Sequence, residues 1–390
     1  MKVKPADRTN QVQEYYFSKK LQQIAKLTSQ GIDVINLGIG NPDMMPPENV
    51  INILRESATK SNAHGYQSYT GIPGLRKAFS EWYKREFFVS IDPDKEILLL
   101  MGSKEGIMHI SMSFLNNGDK VLIPDPGYPA YASSARLCGA KVINYDLLAE
   151  NQWHPDFEAI EKNDLSGVKL MWVNFPNMPT GKKASKKLFE DLVKFGLKHN
   201  ILIVNDNPYS FILNNEPLSI LAIEGSKEIA LELNSLSKSH NMAGWRIGMI
   251  AGNEDYLRSI HLVKSNMDSG MFLPLQLAAI EALKSTKDWY DKLNSVYLKR
   301  RLIVYQLLDL LGCTYEKDQN GLFVWAKIPH RWNNSEIFSD FLLEEYEIFI
   351  TPGTTFGLNG IDFIRASLCV TEARFNECIN RIENKNNKIL

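Results

Sequence analysis

The strongest constraint on how this chain folds is an alternation. Short β-rich runs recur at 97–101 (ILLLM), 120–123 (KVLI), 141–145 (KVINY), 168–173 (VKLMWV), 201–205 (ILIVN), 229–234 (IALELN) and 247–251 (IGMIA). Most are separated by stretches of helical periodicity, such as 106–116 and 185–199. Parallel strands need a long crossover, and strands covered on both faces need no polar side. Apolar runs joined by helical segments therefore predict an α/β fold with a mostly parallel seven-stranded sheet flanked by helices. The link between the last two runs is too short for a helical crossover, which predicts one antiparallel strand.

The flanks read differently. Residues 11–30 predict a helix, with Tyr16, Leu21, Ile24 and Leu27 near helical spacing and Gly31 ending it. The stretch 32–43 runs from a short strand into a Gly/Pro turn. Gly38 and Gly40 lack the third glycine and the following helix of a dinucleotide fingerprint, which leaves close approach of backbone to a ligand as their use. Beyond residue 275 long helical stretches lead to a strand at 322–328, a helix near 335–345 and a short strand at 363–368. The expected organisation is a large domain over 46–285 and a smaller α+β domain, built from 1–45 and 286–390, that closes over the site. Composition narrows the partners. Lys+Arg 44 against Asp+Glu 45 gives a net charge of -1 without a long like-charged block, which disfavours nucleic-acid and membrane surfaces and favours small molecules. No run approaches the ~20 apolar residues that cross a bilayer. The first sixteen residues lack the apolar core of a signal peptide, and four scattered cysteines fit neither a zinc site nor a disulfide scaffold, so a cytoplasmic location and no metal are expected.

Ligands of open α/β sheets sit beyond the carboxyl ends of the strands, so the residues following each run carry the chemistry. After ILLLM comes Gly102-Ser-Lys-Glu-Gly106, either an anion site of helix-start amides with Ser103 or an ordinary serine cap with Glu105 in the first turn. After KVLI a proline-rich turn presents Tyr128, as a stacking face or as structure alone. After VKLMWV stands the polar turn Asn174-Phe-Pro-Asn-Met-Pro-Thr-Gly181. After ILIVN, Asp206 precedes Tyr209 by three residues. The richest stretch, Ser235-Leu-Ser-Lys-Ser-His-Asn-Met-Ala-Gly-Trp-Arg-Ile-Gly248, sets two hydroxyls and an arginine beside Lys238. Hydroxyls and a guanidinium fork suit phosphate oxygens, and a lysine amine suits carbonyl chemistry. A phosphorylated aldehyde held by a lysine is pyridoxal phosphate; the plain alternative is a basic, polar surface loop.

Taken in order, these stations resemble the aspartate-aminotransferase family, the fold type I pyridoxal-phosphate enzymes, over nearly the whole chain. The specific matches are Ser235-x-Ser-Lys238 with Gly244-Trp-Arg-Ile-Gly248, supported by Gly102-Ser-Lys-Glu-Gly, Asp125-Pro-Gly-Tyr128, Pro179-Thr-Gly181, Asp206-x-x-Tyr209 and Arg365. The resemblance implies that Lys238 binds the cofactor covalently and moves the substrate proton, that Asp206 pairs with the ring nitrogen, and that Tyr209 bonds the phenolic oxygen. It implies that Tyr128 stacks on the ring and that Ser235, Ser237, Arg246 and the amides around Gly102, Ser103 and Lys104 receive the phosphate. Tyr66, five residues before Gly71, would reach the phosphate of a neighbouring subunit, which implies a homodimer with shared sites. Arg365 would clamp the substrate α-carboxylate, with Gly40 offering backbone contact nearby.

One position departs from the family. Asn-Pro-Thr-Gly is usual there, its asparagine bonding the phenolic oxygen, and this chain has Met178, a weak acceptor that cannot donate. Either Asn177 takes over after a backbone shift or Tyr209 carries the interaction alone; the resemblance implies a raised pKa for the lysine-bound cofactor. The leading reading is an aminotransferase working between an L-amino acid and a 2-oxo acid such as 2-oxoglutarate. Met and aromatic residues in 266–273 either line a pocket for apolar side chains or pack the core, and with no second cation placed for a distal carboxylate, neutral, apolar or aromatic donors are favoured. The same residues serve a lyase acting at Cβ or Cγ. A non-catalytic ligand-binding domain is the alternative from another class, against which stand the kept Lys238 and Asp206.

Overall fold

The computed structural model describes residues 3–12 and 16–386. The seven runs form strands β1 (Ile97–Leu100), β2 (Lys120–Asp125), β3 (Lys141–Asp146), β4 (Val168–Val173), β5 (Leu202–Asp206), β6 (Ala230–Ser235) and β7 (Gly248–Gly252). They make one sheet in the order β1-β7-β6-β5-β4-β2-β3. Only β7 is antiparallel to its neighbours, pairing Leu100 and Ser235 on either side of Gly248. The expected mostly parallel sheet with one reversed strand is thus the observed one.

Its two faces are both buried, and the pleat divides the side chains between them. Leu98, Leu100, Val121, Ile123, Leu170, Trp172, Val204, Leu231 and Leu233 pack on one side against helices 103–114, 129–137 and 254–264. Ile97, Leu99, Leu122, Met171, Val173, Ile203 and Met249 pack on the other, in the cluster that takes in helices 73–87, 186–199 and 287–310. Within the first cluster Trp172 stacks on Tyr131, ring centroids 4.9 Å apart and 5° from parallel. Losing a buried indole of this kind costs about 3–5 kcal/mol. The buried carboxylate of Glu232 in β6 is satisfied by Tyr83, Ser219, Asn205 and the Ile220 amide at 2.8–3.1 Å, and burial raises its pKa.

A smaller antiparallel sheet orders its strands 351–352, 363–367, 323–327 and 314–315. The first part of the chain makes a separate two-stranded parallel sheet, Ile35–Asn36 pairing with Ile348–Phe349 just before the 351–352 strand. Arg300, in the long helix 287–310, grips Asp43 at 2.6 and 2.9 Å and the Leu368 carbonyl at 3.1 Å, pinning the 36–43 turn beside the strand that carries Arg365. Of the helix expected over 11–30, Tyr16–Ser29 is observed, residues 13–15 lie outside the described ones, and Asp7–Gln11 is instead a 3₁₀ turn. The side chain of Tyr16 is also outside the described residues. Leu21 is 39% exposed, while Ile24 packs with Leu343 and Phe349.

The two sheets are fastened together at Asp125. Its carboxylate accepts the amides of Leu358 and Asn359, both at 3.0 Å, and its carbonyl accepts the Asn359 side chain at 3.1 Å. Gly357 makes this possible: at φ 144° it occupies backbone space open to glycine, and a Cβ there would meet Asp125 Oδ1 at 2.0 Å.

Candidate active site

Strands β1, β2, β4, β5 and β6 end, and β7 begins, around one cavity of about 600 Å³, within the range of small-molecule sites. Gly40, Ser103, Lys104, Tyr128, Asp206, Tyr209, Ser235, Ser237, Lys238, Arg246 and Arg365 all line it. Residues from positions 40 to 365 are thus brought together around one cavity. Gly102 is not among the lining residues; it stands just before Ser103 at φ 86°, where a Cβ would lie 2.3 Å from Arg246 Nη2. Glycine lets the β1 turn and the Arg246 guanidinium occupy adjoining space.

Lys238 sits on a one-turn helix after β6, its Nζ donating to the Gly40 carbonyl at 2.6 Å. Burial lowers its pKa, with the positive fields of Arg365 and Arg246 adding to the effect against an opposing contribution from Cys369. The neutral amine is correspondingly easier to reach. Asp206 closes β5 and is buried. Burial raises its pKa from 3.8 to about 7, the Tyr131 hydroxyl opposing this by donating to Oδ2 at 3.0 Å. Oδ1 is buried, and among the described residues nothing donates to it. Tyr128 meets Tyr131 edge to face, centroids 5.6 Å apart, and Tyr209 meets Phe323 in the same way at 6.0 Å. On the anion side the Ser103 hydroxyl is buried with no hydrogen-bond partner among the described residues. Arg246 is held by the Ala243 carbonyl at 2.9 Å.

These features fit pyridoxal 5'-phosphate. An orphaned carboxylate oxygen suits a cationic ring N–H, an orphaned hydroxyl beside a helix start and an arginine suits a phosphate, and a lysine of lowered pKa suits an aldehyde.

One expectation comes out differently. Asn177 does not replace the missing asparagine: its Oδ1 accepts the Thr180 amide and hydroxyl at 3.2 and 2.8 Å, its Nδ2 donates to the Asn174 carbonyl at 3.2 Å, and it does not line the cavity. The turn consumes its polar atoms internally. Tyr66 is 94% exposed and lies outside the cavity of its own chain. The sequence reading also passed over residues the cavity uses. Asn174 lines it, donates to the Asp206 carbonyl and accepts the Met178 amide at 2.7 Å, so it steadies the end of β5. Its place directly after a strand was the available signal. Tyr131, Ile39, Phe323 and Phe356 had no such signal, because their site role rests on contacts far along the chain. Glu105, His109 and Asp268 also converge outside the cavity, where Asp268 holds the Lys264 ammonium at 2.7 Å.

The aminotransferase class I and II family model matches residues 32–382. The chain belongs to this family. It is therefore a transferase of nitrogenous groups that uses pyridoxal 5'-phosphate. Among curated relatives, the LL-diaminopimelate aminotransferase of Halothermothrix orenii is 40% identical over 385 residues, covering 98% of this chain and 99% of that one. That of Oleidesulfovibrio alaskensis is 40% identical over 380 residues, covering 97% and 98%. Among solved structures, apo-BacF from Bacillus subtilis superposes with a TM-score of 0.94 at 35% identity over 99% of both chains. A probable N-succinyldiaminopimelate aminotransferase from Thermus thermophilus gives a TM-score of 0.87 at 29% identity, covering 94% of this chain and 99% of that one.

Proposed function

We propose that this aminotransferase moves an amino group from an L-amino acid with an apolar or aromatic side chain to a 2-oxo acid such as 2-oxoglutarate. The observation behind the donor class is the cavity wall. Leu21, Ile39, Met178, Phe323 and Phe356 face the space shared by Lys238 and Arg365, and among the lining residues Asp206 is the one carboxylate. A donor with a distal ammonium finds no second anion there.

When bound, pyridoxal phosphate would supply an aldehyde and a cationic, electron-accepting ring. The chain supplies the rest. Lys238 Nζ takes the Cα proton and returns it on the other side of the transfer, a role suited to an amine whose pKa burial has lowered. Asp206 keeps the ring nitrogen protonated through Oδ1, and Tyr131 and Asn174 hold Asp206 in place. Tyr209 would donate to the phenolic oxygen, Tyr128 would cover one ring face, and Ser103, Ser235, Ser237, Arg246 and the Gly102–Lys104 amides would hold the phosphate. Arg365 binds the α-carboxylate by its fork. Exposed Tyr66 suits service to a second copy, so the working form is a homodimer with shared sites. The large domain spans 46–285, and residues 1–45 with 286–390 form the domain that closes on it. With four free cysteines and no membrane-length apolar helix among the described residues, a cytoplasmic setting fits.

A second reading follows from the names of the relatives: LL-diaminopimelate as the donor. A half-reaction screen separates the two. Each amino acid is added alone and conversion of the bound cofactor to its amine form is followed by absorbance. Phenylalanine, leucine and methionine outpacing LL-diaminopimelate supports the first reading; the reverse order overturns it.

A further inference from the structure

Lys264 closes the helix 254–264 as a cation that water barely reaches. Its side chain is 4% exposed and that of its partner Asp268 7%, and the ammonium donates to both carboxylate oxygens at 2.7 and 2.8 Å. It also donates to the Tyr69 carbonyl at 3.0 Å, which uses all three of its protons. Asp268 Oδ1 in turn accepts the Gly270 amide at 2.9 Å. Gly270, at φ 86°, packs so closely on the segment before Tyr69 that a Cβ would meet the carbonyl oxygens of Gln67 and Ser68 at 2.6 and 2.7 Å. Gln276 adds a further tie between the same two stretches, accepting the Ile72 amide at 2.8 Å and donating to the Met271 carbonyl at 2.6 Å. Asp268 also comes within 4.8 Å of Glu105 and His109, on the helix that begins at Ser103. Neither Lys264 nor Asp268 lines the cavity.

Desolvating two charges costs much of what their attraction returns, so a buried ion pair is weak evidence for stability and better evidence for a geometry that it fixes. Here that geometry is the path of residues 67–69, held by Lys264 at Tyr69 and by the Gly270 backbone at Gln67 and Ser68. The residue just before them is Tyr66, 94% exposed. A phenol that stands clear of its own chain can meet a fixed point in another molecule at low entropic cost only when its backbone is already held. We infer that Lys264 and Asp268 are positioning residues for the cofactor of a second copy, holding 67–69 so that Tyr66 presents its hydroxyl to the phosphate in that copy's cavity. This rests on the reading that Tyr66 serves a second copy. Glu105, whose carboxylate also accepts the Met101 amide, offers the pair a rival route, to the phosphate-binding helix start of its own chain. The two routes differ in which copy feels the loss of the pair.

The test uses mixed dimers of two differently tagged copies, one carrying Lys238→Ala so that only the other forms the lysine-bound cofactor. Tyr66 of the Lys238→Ala copy then serves the live cavity. Lys264→Met together with Asp268→Asn removes both charges at once, which strands neither, and keeps an acceptor for the Gly270 amide. Gly270→Ala displaces the same segment by steric contact and takes the place of the double variant if that fails to fold. The dissociation constant of pyridoxal phosphate is read from the absorbance of the lysine-bound form. Placed in the Lys238→Ala copy, the double replacement is expected to raise that constant at the live cavity by about 3- to 10-fold, the scale of one modest hydrogen bond, as Tyr66→Phe does from the same copy. Placed in the live copy, it should change the constant by less than about 2-fold. Combined with Tyr66→Phe in one copy, it should add less than about 2-fold, because both changes remove one contact. An effect that follows the live copy, or is equal from both, assigns the pair to its own phosphate site or to stability alone and overturns the inference. Tyr66→Phe acting from the Lys238→Ala copy while the pair is silent overturns the inference and leaves the shared site standing. Tyr66→Phe silent from both copies, or failure of mixed dimers to form, overturns the shared site and the inference with it.

Discussion

The two ends of the cavity are built from opposite materials. At the end fed by β1, β5 and β6 the groups are hard and directional: Asp206 Oδ1 and the Ser103 hydroxyl are buried with no donor or acceptor in place among the described residues, beside Arg246 and a glycine turn. At the other end, a cation is wrapped in ring faces and a thioether. The first arrangement suits a resident group that stays bound, because unsatisfied buried polar atoms are costly until that group fills them. The second suits a visitor, because the ring faces and the Gly38 carbonyl keep Arg365 oriented while the thioether contact yields readily. Affinity and turnover are thus assigned to different chemistry within one cavity.

The comparison can be broken most severely at Lys238. Lys238→Ala is expected to lower amino transfer by roughly 10⁴-fold or more, since one residue is both covalent anchor and proton carrier, while pyruvate binding at the Arg365 end stays within about 2-fold. Calorimetry and single-turnover absorbance check both halves of that statement.

Asp206→Asn sharpens it through pH. The loss in kcat is expected at about 10²-fold or more. In the cofactor-free protein the Asp206 pKa is raised from 3.8 to about 7, so the folded state binds the extra proton between those values. Its contribution to stability is fully present below about pH 4 and lost as pH rises through 7. Melting temperatures across pH 4–8 should therefore fall more steeply in wild-type apoprotein than in Asp206→Asn. Cofactor affinity should move the opposite way, rising toward pH 7 in wild type as the carboxylate ionises, with that component missing in the variant. Identical pH profiles for the two proteins would count against an orphaned carboxylate at the ring nitrogen.

Gly102→Ala is expected to weaken pyridoxal phosphate by about 10-fold and destabilise the chain by ~1 kcal/mol, through left-handed backbone strain and the collision with Arg246. Fluorescence titration and thermal melts measure these. The smallest effect belongs to the soft end: Phe323→Leu removes one ring face from Arg365 and should raise donor KM by about 3- to 5-fold with little change in kcat. A kcat loss without a KM change would place Phe323 at the chemistry instead.

The sheet was readable because burial on both faces turns each strand into an unbroken apolar run, and β7 because the 235–247 link has no room for a crossover. The polar end of the cavity was readable for a related reason, since Lys238, Asp206, Ser103 and Ser235 stand at or just beyond strand ends where position alone restricts their use. Asn174 and Asn177 show where this stops. They occupy the same turn with the same side chain, and its backbone path, which their letters do not encode, sends one to the cavity and the other inward. The soft end was less readable again. Phe323 and Phe356 look like ordinary core residues until the second sheet folds over the first, and Tyr131 reaches Asp206 across 75 positions of sequence.

The junction at Asp125 has a consequence for how such an enzyme can change. The turn that carries Tyr128 and the loop leading toward the Arg365 strand hang from one carboxylate, with a glycine wedged beneath it. An insertion in 353–360 would lift two amides off that carboxylate and shift a ring-facing tyrosine at the same time. New specificities are therefore more accessible through side-chain exchange along the apolar wall than through loop lengthening at this joint, which acts as a shared datum for both halves of the cavity.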